Sequence, residues 1–187
     1  MAQYLMAVDA GTGSVRAVIF GVDGTQLGCV QREWTHREDP RWPGSMDFDW
    51  ETNWKLAGSC IRGVLEETGI APGDIAGVST TCMREGILLY DREGNEIWAC
   101  ANVDARSDAQ VGQLIDLNPA LEKEIYSMSG QTYALGALPR LLWVKDNLPE
   151  VYERAAAIGM FNDWLIYKLT GKLAGEPSNR STTGRKA

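Results

Sequence analysis

Asp9-Ala10-Gly11-Thr12-Gly13-Ser14 stands between two apolar runs, Tyr4–Val8 before it and Val15–Phe20 after it. The first run reads as a buried strand and the second, β-branched and apolar and interrupted only by Arg16 and Ala17, as another. A glycine turn between strands predicts a hairpin. Asp23-Gly24 predicts a second corner, followed by a strand over Gln26–Glu33. Two glycines allow a close backbone approach and parallel N–H groups, which suits phosphate oxygens. Thr12 and Ser14 add hydroxyl donors. Asp9, ending a buried strand, can hold a water of Mg²⁺, and Arg16 can bring back a fixed positive charge. A hairpin whose glycines serve only the turn remains open as a reading. A dinucleotide fingerprint does not: it needs a third small residue where Arg16 stands, and a helix where a strand follows. A Walker loop needs Gly-Lys-Ser/Thr, which is absent.

Downstream, Trp50, Trp54, Ala57, Ile61, Val64 and Thr68 share one helical face, with Asp49 as its cap and Gly69 at its end. Pro72-Gly73 turns the chain into a strand at Ile75–Thr81. Strands follow at Gly86–Tyr90 and Glu96–Ala101 around the turn Asp91–Asn95. Helices are expected over Ser107–Leu117, Pro119–Met128, Pro139–Asn147 and Pro149–Arg154, three opened by proline. Ala155–Gly159 is a strand candidate, and Asn162 is placed to cap a helix over Asp163–Thr170. Lys172–Ala187 is polar, with no periodic face. Three antiparallel strands, a helix and a returning strand are not doubly wound alternation. They predict an α/β chain of the ribonuclease-H-like (actin/hexokinase-type ATPase) fold, a mixed sheet flanked by helices.

Composition narrows the function. The chain has 187 residues and a net charge of 18 − 25 = −7. With a pI near 4.8, nucleic acid and anionic membranes are not expected partners. This also disfavours a two-metal nuclease built on the same fold. The single histidine, His36, excludes a multi-histidine metal site and is expected on the surface. Cys29, Cys60, Cys82 and Cys100 form no C-x-x-C pair and read as free, mostly buried thiols in a reducing cytoplasm. No apolar run is long enough to span a membrane, and the N-terminus has no signal-peptide pattern. The length predicts one domain.

Several segments, in order, resemble the N-terminal part of an FGGY-type carbohydrate kinase. Leu5–Arg16 resembles the family's first phosphate segment, and Ser45-Met-Asp-Phe-Asp-Trp50 its stretch before the first helix. Cys82-Met-Arg-Glu-Gly86 sits where the family places polyol contacts, and Asn102-Val-Asp-Ala-Arg106 resembles its Trp-Gln/Asn-Asp-x-Arg segment. Pro139–Lys145, Asp163–Gly171 and Pro177–Gly184 resemble later segments. The likeness runs from Tyr4 to Gly184. Asn102 replaces the usual tryptophan, which weakens the likeness to glycerol kinase and xylulokinase, with another FGGY kinase such as xylulokinase kept as the alternative. The wording of Met83–Ile87 and Trp98–Arg106 resembles members acting on a sugar-like quorum-sensing molecule.

The resemblance implies ATP and Mg²⁺ as cofactors and a small polyhydroxylated substrate. Gly11, Thr12, Gly13, Ser14 and Arg16 would face the ATP phosphates, with Asp9 holding Mg²⁺ through water. Arg84, Glu85 and Asp104 would hold substrate hydroxyls, and Tyr133 would close one wall. Arg106 would orient Asp104. The family's general-base aspartate lies in a later glycine-rich segment, and its adenosine pocket in a second domain. Residues 1–187 are therefore expected to be an incomplete N-terminal domain without turnover of its own. A non-catalytic module that associates with another copy is the rival reading.

Overall fold

A computed structural model describes residues 3–175. The expectations for Pro177–Gly184, and for Lys172–Ala187 past residue 175, lie outside it. The described chain divides into two compact units. One comprises residues 3–35, 49–83 and 161–173; the other comprises 36–48, 84–160 and 174–175.

The first unit is a four-stranded sheet in the order β3-β2-β1-β4. β1 (Tyr4–Ala10), β2 (Ser14–Gly21) and β3 (Gln26–Glu33) form the expected antiparallel meander. β4 (Ile75–Cys82) returns parallel to β1. A parallel neighbour needs a long crossover, which α1 (Trp50–Thr68) supplies. The Asp49 carboxylate accepts the Thr52 N–H at 2.9 Å, and Gly69 closes the helix at φ 67°. The Asp49 cap stabilises the helix by about 1 kcal/mol.

The buried stripe of α1 is Asn53, Ala57, Cys60 and Val64; it keeps Ala57 and Val64 of the predicted face but is rotated toward Asn53 and Cys60, leaving Trp50 and Trp54 half-buried. Small residues meet the sheet instead. A Cβ on Gly63 would stand 3.2 Å from Val30 Cγ1, and the Cys60 thiol donates to the Val15 carbonyl. α6 (Phe161–Thr170) lies beside α1 on the same sheet face, with Trp54 edge-on to Trp164 at 6.2 Å. That face carries Met6, Val8, Ala10, Val15, Ala17 and Ile19, all buried. The opposite face carries Leu5, Ala7, Val18, Phe20 and Leu27, and neither helix of this unit covers it.

The second unit holds an antiparallel sheet, β6-β5-β7, formed by β5 (Ile87–Tyr90), β6 (Glu96–Cys100) and β7 (Ala157–Met160). The central β5 is buried throughout. Around it are α2 (Asp108–Leu117), α3 (Leu121–Ser129), α4 (Ala137–Asn147) and α5 (Pro149–Arg154).

Three predicted starts change. α4 begins two residues before Pro139, because proline is tolerated anywhere in the first turn, where N–H groups have no helical acceptor. Pro119 precedes α3 rather than opening it. Asn162 is no cap: it lies inside α6, buried, its side-chain oxygen accepting from the Cys82 thiol at 3.3 Å and its carbonyl from the Thr80 hydroxyl at 3.1 Å. His36 is half-buried beside Phe48 rather than on the surface.

All four cysteines are free, but only Cys60 and Cys100 are buried. Burial pushes the Cys100 thiol up to about 12 and also raises Cys60. The thiolate is the reactive form. At pH 8, iodoacetamide is therefore expected to modify Cys29 in the folded chain and to reach Cys60 and Cys100 only after denaturation. Peptide mapping that finds Cys100 modified as fast as Cys29 would contradict this packing.

Candidate active site

The phosphate-loop candidates sit where β1 gives way to β2. The loop is closed by Gly11 N–H donating to the Ser14 carbonyl at 2.8 Å. Its carbonyls are tied down by one residue. Trp34 Nε1 donates to the carbonyls of Gly11 (3.0 Å) and Thr12 (3.2 Å), and its backbone N–H to that of Gly13 (3.1 Å). Carbonyl oxygens repel an anion, so engaging three of them with Trp34 suits the loop to phosphate. Neither Gly11 nor Gly13 has positive φ, but a Cβ on Gly11 would stand 3.2 Å from the Ser14 carbonyl oxygen, so the turn favours glycine at 11 and makes no conformational demand for it at 13. A Cβ on exposed Gly13 would meet nothing within 4 Å. Packing does not require that glycine either; close approach of a ligand would.

Asp9 and Arg16 face each other across β1 and β2. Arg16 Nε and Nη2 reach Asp9 Oδ2 at 2.8 and 2.7 Å, leaving Oδ1 for another partner. The guanidinium is 51% exposed, so this pair adds little stability. Among the described residues no three His, Cys, Asp or Glu side chains form a metal-holding group. One half-engaged carboxylate cannot cage a bare cation. It fits Mg²⁺ that keeps its waters and arrives with phosphate.

The second unit holds the other candidates. Arg84 is exposed, and among the described residues it makes no hydrogen bond or ion pair. Glu85 is buried at 7% exposure and adopts φ 71°, the one non-glycine positive φ among the described residues. Such a conformation costs about 1–2 kcal/mol and tends to persist at functional sites. The two therefore do not form the solvated surface pair that their adjacency allows. Tyr133 is 3% exposed; its hydroxyl is buried with no hydrogen-bond partner among the described residues, and its N–H is held by Glu122 at 3.0 Å. Burial, with the Glu122 and Glu124 carboxylates nearby, raises the phenol and keeps it a donor.

Asp104 differs from its expected role. Its side chain is 0% exposed. Arg106 Nε and Nη2 hold it at 2.7–3.0 Å, and the Met46 N–H donates to Oδ2 at 2.6 Å. No oxygen is left facing solvent for a substrate hydroxyl. Arg106 in turn bonds Asp47 and lies over the rings of Trp98 (5.4 Å) and Trp143 (4.9 Å). Burial alone would lower the Arg106 pKa; the two carboxylates outweigh it and hold the guanidinium charged. Arg140 on α4 is buried at 2% exposure, within a helix whose family resemblance carries no site role. Only its isolated position in an apolar helix marks it in the sequence.

A sequence model of the FGGY family of carbohydrate kinases, N-terminal domain, matches residues 4–185. The chain belongs to this FGGY family. Autoinducer-2 kinase from Escherichia coli K12 is 54% identical over 182 residues, 97% of this chain but 34% of that protein. The Klebsiella pneumoniae autoinducer-2 kinase is 53% identical over the same shares. The chain thus spans about a third of the length of these curated relatives. Among solved structures, xylulose kinase from Rhodospirillum rubrum superposes with a TM-score of 0.86 at 19% identity, covering 97% of this chain and 37% of that one. Plasmodium falciparum glycerol kinase with ADP gives 0.72 at 19%, with the same coverage. These two likenesses establish the ATPase-type fold.

The strain at Glu85 is testable. Glu85→Gly and Glu85→Ala both remove the carboxylate, but only alanine keeps the Cβ that disfavours φ 71°. Urea unfolding is expected to find the glycine variant more stable than the alanine variant by about 1 kcal/mol. The reverse order would mean that the backbone there is unstrained.

Proposed function

We propose that this chain supplies the nucleotide-phosphate loop and the polyol-binding side chains of an ATP-dependent carbohydrate kinase. The phosphoryl acceptor in this reading is a hydroxyl of a small sugar-like molecule, first among them the autoinducer-2 precursor. The observation that carries the reading is the loop at 11–14: its carbonyls are engaged with Trp34, and Gly13 is free of any packing demand. The identity to autoinducer-2 kinases favours the substrate.

Each residue has a role in this reading. Gly11, Thr12, Gly13 and Ser14 bind phosphate oxygens with N–H and hydroxyl donors, and Arg16 adds charge near the transferred group. Asp9 would hold Mg²⁺ through one of its waters, and the metal would supply neutralisation of phosphate charge. Arg84 donates to substrate hydroxyls, Glu85 accepts from them, and Tyr133 offers its buried hydroxyl. Asp104 acts through position, fixing the turn at 101–106 for its neighbours. Phosphoryl transfer rests on positioning and charge stabilisation. The general base would come from polypeptide outside residues 1–187, so the chain alone is inactive in this reading. Free thiols and the use of ATP accord with a cytoplasmic setting. The acidic balance leaves nucleic acid and membranes outside the proposal.

The test joins residues 1–187 to the remaining two-thirds of the Escherichia coli autoinducer-2 kinase. The chimera is expected to phosphorylate the autoinducer-2 precursor with ATP, and the chain alone to give no product. Arg84→Ala in the chimera should raise the polyol KM at least tenfold, about 1.4 kcal/mol of lost binding. A folded chimera without activity would overturn the kinase reading; an unchanged KM would remove Arg84 from the site.

A second reading, self-association, is favoured by one feature. Among the described residues β4 is paired only to β1; its edge carries no charged residue or proline and borders the uncovered Leu5, Ala7 and Val18 face. Such an edge is a template for another strand. Sedimentation velocity of the isolated chain should show dimers that Val78→Lys abolishes. A strict monomer at about 0.1 mM, where a dimer with a Kd below that concentration would be populated, would exclude it.

A further inference from the structure

Arg140 is buried, yet among the described residues it makes no ion pair. A desolvated guanidinium normally meets a carboxylate, because an unpaired buried charge is costly. Here the acceptors are four backbone carbonyls. Nη1 donates to Gly136 at 3.0 Å and Leu135 at 3.3 Å. Nη2 donates to Asn102 at 3.1 Å and Asp104 at 3.3 Å. One planar fork therefore joins two turns, one carrying Tyr133 and the other carrying Asn102 and Asp104.

Each turn is also pinned from its own side. The Tyr133 N–H is held by Glu122, and Asp104 by Arg106 and the Met46 N–H. Arg140 is the side chain that donates to both. A guanidinium suits such a link because its donors are rigidly splayed, whereas a lysine ammonium is a single point of charge. Asn102 stands where the resembling family has tryptophan.

We propose that Arg140 is a positioning residue that sets the separation of the Tyr133 turn from the Asn102–Asp104 turn, and through it the selectivity for the polyol. The proposal rests on the kinase reading above. It requires the charge of the guanidinium and its reach together. A neutral side chain loses all four bonds and leaves carbonyls unpaired, while lysine keeps the charge and loses the span.

The experiment compares wild type, Arg140→Met and Arg140→Lys in two forms. In the chimera, Arg140→Met is expected to raise the polyol KM at least tenfold, with kcat within threefold and the ATP KM unchanged. Arg140→Lys should recover only part of this. In the chain itself, hydrogen exchange should show residues 102–106 and 133–136 losing protection together in Arg140→Met while β1–β4 keep theirs. An unchanged polyol KM overturns the proposal, and so does independent exchange of the two turns. Loss of β1–β4 protection in both variants, with kcat and both KM values failing together, would assign Arg140 to folding alone and overturn it too. If the wild-type chimera phosphorylates no polyol, the kinase reading falls and the selectivity role falls with it; the exchange result then decides whether the link between the turns exists.

Discussion

The first unit depends on β1 being hydrogen-bonded along both edges. Its antiparallel partner β2 follows through a short turn, but its parallel partner β4 is reached only through a crossover. That demand makes α1 necessary and sets where it lies. The helix must approach the buried row Met6, Val8 and Ala10 and its β2 neighbours, and small side chains at Ala57, Cys60 and Gly63 let it come close. With β1 fixed on two sides, its C-terminal end has little freedom. Asp9 and the loop that follows inherit that rigidity, which is what a preorganised anion site requires.

The second unit is organised around charge instead. Arg106 is withdrawn from water over the rings of Trp98 and Trp143, and its charge is held by Asp104 and Asp47. Removing one partner from such a buried arrangement typically costs roughly 3–5 kcal/mol, because the remaining charge is left uncompensated. The same bonds hold Met46 against the turn at 101–106, where the Ala105 N–H also donates to the Gly44 carbonyl. An excursion rich in proline and charge is thereby given a fixed path without secondary structure of its own. Asp104 is fully engaged in holding that path, which is why a carboxylate in a binding-type motif has no free oxygen.

What could be read from the sequence follows how local each cause is. The meander, the Asp49 cap, the Gly69 stop and the returning strand rest on neighbouring residues, and they were legible. The start of α6 was not: Asn162 is a good cap by type, but its side chain is taken by Cys82, 80 positions away. The role of Asp104 was half legible. That Arg106, two residues on, orients it was expected from the resemblance, but the Met46 N–H that completes its bonding comes from 58 positions away. Glu85 was named from resemblance, while its backbone was invisible. With Gly86 beside it, positive φ would be assigned to the glycine, yet the glutamate adopts it.

That inversion bears on how the two halves of the proposed chemistry are built. The phosphate loop obtains its geometry without strain: its glycines have no positive φ, and its carbonyls are satisfied by Trp34. Phosphate is bound mainly through charge and N–H donors, so an unstrained turn with its acceptors occupied is sufficient. A polyol is neutral, and its hydroxyls are distinguished only by where donors and acceptors stand. Selectivity then requires side chains held in one orientation, even at a conformational cost. Glu85 carries that cost locally in its backbone, and the buried Arg140 fork carries it as desolvated charge. The strain falls on the residues assigned to the neutral ligand, which is where electrostatic attraction can do least.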